Sequence, residues 1–69
     1  MAGSVYKLIE LTGTSDTSIE DAVKKALNKA GESIREMRWF QVTETRGTIN
    51  GGNVGEWQVT IKVGCKVED

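Results

Sequence analysis

From Glu56 to Val67 the chain alternates without a break. Trp57, Val59, Ile61, Val63, Cys65 and Val67 are apolar, whereas Glu56, Gln58, Thr60, Lys62, Gly64 and Lys66 between them are polar or lack a side chain. Successive side chains of a strand point to opposite faces, so a two-residue period of this length predicts a β-strand with one face on a core. Something apolar has to cover that face.

The covering element is legible upstream. Ile19, Ala22, Val23, Ala26, Leu27, Ala30, Ile34 and Met37 recur by threes and fours, which predicts a single amphipathic helix with one buried stripe. Glu20, Asp21, Lys24, Lys25, Asn28, Lys29, Glu32, Arg35 and Glu36 form its solvated face, with several i,i+4 charge pairs. Thr17 or Ser18 can open the helix, each with an acidic residue three positions on, as in a capping box. Gly31 interrupts the pattern at a cost of about 1 kcal/mol relative to alanine and is expected to mark a close contact.

Two further strands complete the order. Val5 to Thr12 is rich in β-branched and aromatic residues and runs into Gly13-Thr14-Ser15-Asp16, a series of turn formers. Trp39 to Ile49 reads as a second long strand, joined to the alternating one through Asn50-Gly51-Gly52-Asn53, whose residues accept positive φ. The prediction is one α+β domain over residues 1–69, of βαββ order, whose last two strands form an antiparallel hairpin packed on the helix.

A chain of 69 residues buries only a modest core and is marginal on its own. Disulfides, metals and oligomerisation are the usual reinforcements. With one cysteine, Cys65, and no histidine, an intrachain disulfide is excluded and a zinc site lacks ligands, so self-assembly is expected. No metal site is expected. Met1 is followed by Ala, Gly and Ser, without a basic segment leading into an apolar run, and no stretch reaches membrane-spanning length, so a cytoplasmic protein without membrane contact is expected. A formal net charge of −1 disfavours a general nucleic-acid binder, which needs excess Lys and Arg on one face.

Phe40 and Val42 belong with the apolar face of the second strand, so strict alternation sends Trp39, Gln41, Thr43 and Thr45 to the other side. A hairpin centred on Gly51-Gly52 would then set Thr45 beside Gln58 and Trp39 near Gly64. An indole on that outer face has two readings. It plugs a subunit interface, where Trp is enriched, or it is a stacking platform for a planar ligand whose polar edge meets the Gln58 amide. Arg46 falls on the helix side by the same parity, with either an ion pair to Glu44 or Glu56 or an anion contact as its role. Cys65 and Trp57 read as core, the thiol inert.

The first strand with its turn, the helix, then Trp39-Phe40, the Glu44-Thr45-Arg46-Gly47 run and Trp57-Gln58-Val59 together resemble the dodecins, small bacterial and archaeal flavin-binding proteins, over almost the whole chain. The resemblance implies a three-stranded antiparallel sheet wrapped around one helix, assembled as a hollow homo-dodecamer in which flavins bind in pairs between tryptophans of symmetry-related subunits. On that basis Trp39 is a flavin platform, and Gln58 bonds the pyrimidine edge. Arg46 matches an arginine at the flavin site of bacterial members, which favour FMN over riboflavin, and it is expected at the FMN phosphate. The resemblance also implies a coenzyme A site formed by Tyr6, Lys29, Ser33 and Lys66, although Gly31 and Glu32 stand where relatives can be basic and Lys66 where an arginine can occur.

Three functions compete. One is a non-enzymatic flavin store that holds the ligand dark and unreactive. Another is a nucleic-acid-binding sheet that uses Trp39 to stack bases. The last, a flavoenzyme, lacks a proton-transfer cluster.

Overall fold

The computed structural model describes residues 3–67. It contains strand β1 (Tyr6–Ser15), helix α1 (Ile19–Ala30), strand β2 (Met37–Asn50) and strand β3 (Asn53–Lys66). The alternating strand β3 occupies the centre of an antiparallel sheet of order β1-β3-β2. Both neighbours run antiparallel to it, so β1 and β2 are parallel to one another and the helix is the crossover between them.

The inner face of β3 is the core. Val59, Ile61, Val63 and Cys65 are buried against Ala22, Val23 and Ala26 of the helix, with Ile9, Leu11, Leu27, Ile34 and Met37 packed around them. Small helix residues allow the helix to lie close to the sheet, and Gly13 takes this furthest. A Cβ there would lie 2.1 Å from the Ala22 carbonyl oxygen. Gly13, Thr14 and Ser15 therefore continue β1 instead of turning away from it.

Ser15, only 3% exposed, ties the strand to the helix. Its hydroxyl donates to Asp21 Oδ2 at 2.6 Å and accepts from the amides of Thr17 at 3.0 Å and Ser18 at 3.3 Å. Of the two candidate caps, Ser18 is the one used, its Oγ accepting from the Asp21 amide at 2.9 Å. The Asp21 carboxyl is held below its ordinary range by the hydrogen bond from Ser15, then by Lys25, with Thr17 adding to the effect.

The helix is shorter than its apolar spacing predicts. It ends at Ala30, and Gly31 caps it with its amide on the Leu27 carbonyl at 2.9 Å. Ile34 and Met37 reach the core from the following turn and from the start of β2. The hairpin between β2 and β3 is a two-residue turn with positive φ at Gly51 (60°) and Gly52 (81°), as the Asn-Gly-Gly-Asn sequence requires.

Strict alternation fails along β2. Trp39 pairs with Gly64 as expected, but Gln58 faces Arg46, not Thr45. Register shifts lie at Met37/Trp39, Val42/Glu44 and Gly47/Ile49. A β-bulge sets two residues of one strand against one of the other and so inverts parity beyond it. Thr45 accordingly pairs with buried Val59, while Arg46 moves to the outer face, opposite to its parity assignment. Trp57 is half-buried and lies outside the buried cluster, less enclosed than a core residue.

The helix packs on β1 and β3, leaving Phe40 at 46% and Val42 at 43% exposed on the inner face of β2. Ile49 and Val54 are exposed at the hairpin tip. A body of 56 × 21 × 13 Å leaves this apolar surface and two strand edges open.

Candidate functional site

The outer face of the sheet holds the candidate groups, because from Glu56 on every outward position of β3 is polar or glycine. Across the three strands, Leu8, Gly64 and Trp39 form one row. The absence of a side chain at residue 64 gives the indole its seat: a Cβ on Gly64 would stand 2.1 Å from Trp39 Cε2, 2.3 Å from Cζ2 and 2.6 Å from Nε1. Tyr6, one row further along opposite Lys66, sets its ring 6.2 Å from the indole at an interplanar angle of 55°. So seated and buttressed, Trp39 is nonetheless 43% exposed. A large, fixed and half-open aromatic surface is a place for a flat ligand to stack.

The polar groups sit elsewhere on the same face. Arg46 Nε donates to Gln58 Oε1 at 2.8 Å. The expected ion pair of Arg46 with Glu44 or Glu56 is not formed; among the described residues the ion pairs are Asp21–Lys25, Lys29–Glu32 and Glu36–Arg38. Gly64 and Gln58 are six residues apart on β3, or about 20 Å at the usual rise per residue. A single three-ring ligand cannot lie on Trp39 and reach Gln58 of the same chain. Within one protomer the structure brings Arg46 to Gln58 and Tyr6 to Trp39, and it keeps the two pairs apart.

The remaining candidates cluster at the end of the helix. Lys29 and Ser33 line one hollow with Glu32, and Lys29 pairs with Glu32 at 3.5 Å. Ser33 also lines an adjoining hollow with Lys66, Lys7, Arg35 and Glu36. Tyr6 lines neither, standing instead with Trp39. Sequence reasoning set Trp39 beside Gly64 but did not anticipate Tyr6 as its buttress. The signal available was the central place of β3, which sets residues of β1 and β2 on either side of one glycine.

Among the described residues, no helix is long and apolar enough to cross a membrane, and no three of His, Cys, Asp or Glu gather into a metal-binding group.

Comparison with known proteins gives a consistent result. The dodecin family model matches residues 5–68. The dodecin of Thermus thermophilus is 45% identical over 67 residues, covering 97% of both chains. The calcium dodecin of Mycobacterium tuberculosis is 31% identical over 64 residues, covering 93% of this chain and 90% of its own. Among solved structures, the dodecin of Streptomyces coelicolor superposes with a TM-score of 0.92 at 38% identity, over all of this chain and 99% of its own. The calcium dodecin, described as calcium-chelating, gives 0.80 at 31% identity, over 94% and 93% of the two chains. With a family model spanning nearly its whole length, and relatives this similar in both sequence and backbone, the chain belongs to the dodecin family.

Proposed function

We propose that this protein binds a flavin, FMN or riboflavin, at sites shared between subunits of a homo-dodecamer, and holds it stacked and photochemically quiet without catalysing a reaction. The observation that carries this reading is the seat of Trp39, an indole laid over a glycine, braced by Tyr6 and left half open on a sheet face. The residues fit the ligand. Trp39 offers an apolar aromatic plane, and Gln58 with Arg46 offers hydrogen-bonding groups for the polar end. Since these two parts lie about 20 Å apart in one protomer, each complete site joins Trp39 of one subunit to Gln58 and Arg46 of another.

The exposed apolar residues of β2 and the unpaired strand edges supply surface for such an assembly. When bound, the flavin would bring photochemistry and redox capacity. Trp39 in stacking contact is an electron donor that quenches the excited ring, and the subunits around it exclude other reactants. A cytoplasmic store or buffer is the role that suits these properties. Coenzyme A is proposed as a second ligand at the two hollows lined by Lys29, Ser33 and Lys66; calorimetric titration tests it directly.

Stacking contributes about 1–3 kcal/mol per ring, by analogy with bases on aromatic side chains. Trp39→Ala is therefore expected to lower flavin affinity at least about tenfold while the variant still folds and assembles, because the indole lies off the buried core. Fluorescence titration of FMN and riboflavin, with light scattering on the same samples, measures both. A variant that binds and quenches like the parent, or a parent that neither quenches flavin nor assembles beyond a dimer at micromolar concentration, removes the proposal.

A further inference from the structure

The chemistry of the Arg46–Gln58 contact fixes the direction of the amide. A guanidinium N–H can only donate, so the atom that meets Arg46 Nε at 2.8 Å has to be the amide oxygen. The NH2 group of Gln58 is thereby turned away from Arg46. An unconstrained glutamine can rotate to offer either an acceptor or two donors. This one is held with its donors outward, and the bond uses only Nε of Arg46, so the terminal guanidinium nitrogens add further donors beside them.

The backbone supports the same pairing. Glu44 to Gly47 form a segment whose register is offset by one residue, bounded by the shifts at Val42/Glu44 and Gly47/Ile49. Hydroxyls serve the backbone on both sides, Thr43 Oγ1 donating to the Thr60 carbonyl at 3.2 Å and Thr48 Oγ1 accepting from the Glu56 amide at 2.9 Å. Without that offset Arg46 would face inward, away from Gln58.

We propose that Arg46 is a positioning residue that holds Gln58 as a fixed donor, so that the polar end of the site meets a carbonyl oxygen on the edge of the ligand's ring. The class of ligand is a planar heterocycle with carbonyl oxygens on its edge, as in the pyrimidinedione ring of a flavin, chosen by that edge whatever tail it carries. The identity of the ring rests on the flavin reading above; the locking of the amide does not. This role differs from contact with the FMN phosphate, which would select the tail.

Two measurements test it. In the ligand-free protein, the side-chain 15N–1H resonances of Gln58 report the amide directly. Arg46→Ala is expected to shift or average them, and so is Arg46→Lys, which keeps the charge and lacks the Nε–H donor. Unchanged resonances in both variants overturn the proposal. In the second measurement, FMN, riboflavin and lumichrome, which share the ring edge and differ in the tail, are titrated into the parent, Arg46→Ala, Gln58→Ala and the double variant. Arg46→Ala is expected to weaken all three by a similar factor of about five to ten, with the double variant about as weak as Gln58→Ala alone, since the two residues act through one group. A loss confined to FMN, or losses that multiply in the double variant, overturns the positioning role in favour of a phosphate contact. A parent that binds none of the three overturns the flavin reading instead, and the amide resonances then decide the role of Arg46 on their own.

Discussion

Gly64→Ala isolates the placement of the indole from its presence. An ideal Cβ on residue 64 would lie 2.1 Å from Trp39 Cε2. Non-bonded carbons need about 3.5 Å, so the ring has to shift by roughly 1.4 Å or leave its seat. A radial gap of about 0.5–1 Å already forfeits a quarter to a half of a dispersion contact, so a ligand whose other edge is fixed by Gln58 loses half or more of its stacking. Half of about 1–3 kcal/mol per stacked ring is about 0.5–1.5 kcal/mol, or roughly two- to tenfold in the dissociation constant. The fold has no comparable reason to suffer. Gly64 is not among the glycines with positive φ, and alanine in a strand interior is favoured over glycine by about 0.5–1 kcal/mol. The signature is therefore a flavin affinity reduced roughly two- to tenfold with a melting temperature close to the parent's. Fluorescence titration and a thermal melt read the two quantities. Gly64→Ala combined with Trp39→Ala should bind no worse than Trp39→Ala alone, because both act on one contact. If Gly64→Ala binds and quenches like the parent while folded, the seat over Gly64 does not define the platform.

Other perturbations act on the scaffold. Gly13→Ala would set a methyl 2.1 Å from the Ala22 carbonyl oxygen and 2.9 Å from Ala26 Cβ; overpacking of this kind costs about 3 kcal/mol, and chemical denaturation should show the loss. Ser15→Ala removes a buried donor from a carboxylate together with the acceptor for two amides, and a destabilisation of about 2 kcal/mol is expected from the same measurement. Because the folded-state pKa of Asp21 is lowered from 3.8, its contribution is fully present above that ordinary value and disappears as the pH falls through the depressed one. Melting temperatures recorded downward from pH 5 should therefore drop more steeply for the parent than for Asp21→Asn, and parallel curves would contradict the assignment.

The parts of the fold legible in the sequence were those where one physical demand dominates. The β3 alternation is legible because its inner face is buried from Val59 to Cys65, and the helix start is marked by a cap whose bond is local, Ser18 to Asp21. The helix end was not legible because Ile34 and Met37 happen to continue its spacing while serving the core from a turn and a strand. The end of β1 was misplaced for a related reason. Gly13 and Ser15 resemble turn formers, yet the first is glycine because the helix backbone passes over it and the second is serine because a buried hub needs a hydroxyl. Both reasons are tertiary, and local propensity carries no trace of them.

The candidate site shows most sharply what alternation can and cannot convey. A simple hairpin about Gly51-Gly52 sets Trp39 against Gly64, and that pair is present, although two irregularities intervene. They cancel. Between the Ile49–Val54 and Gly47–Trp57 pairs β3 carries the extra residue, and between Glu44–Thr60 and Val42–Ile61 β2 carries it. Only the residues between the two are displaced, which is why Thr45 was misassigned to Gln58 while Trp39 was not. The segment so displaced carries Arg46. A single bulge would have inverted every side chain beyond it and turned the Trp39 indole into the core face. Two opposed bulges turn Arg46 outward to Gln58 while the indole keeps its place over Gly64, so the polar and stacking ends of the face can be set independently on one pair of strands. Thr43 and Thr48, whose hydroxyls serve the backbone at these points, together with Gly47 and Gly55, which leave no room for a Cβ there, are the only marks this arrangement leaves in the sequence.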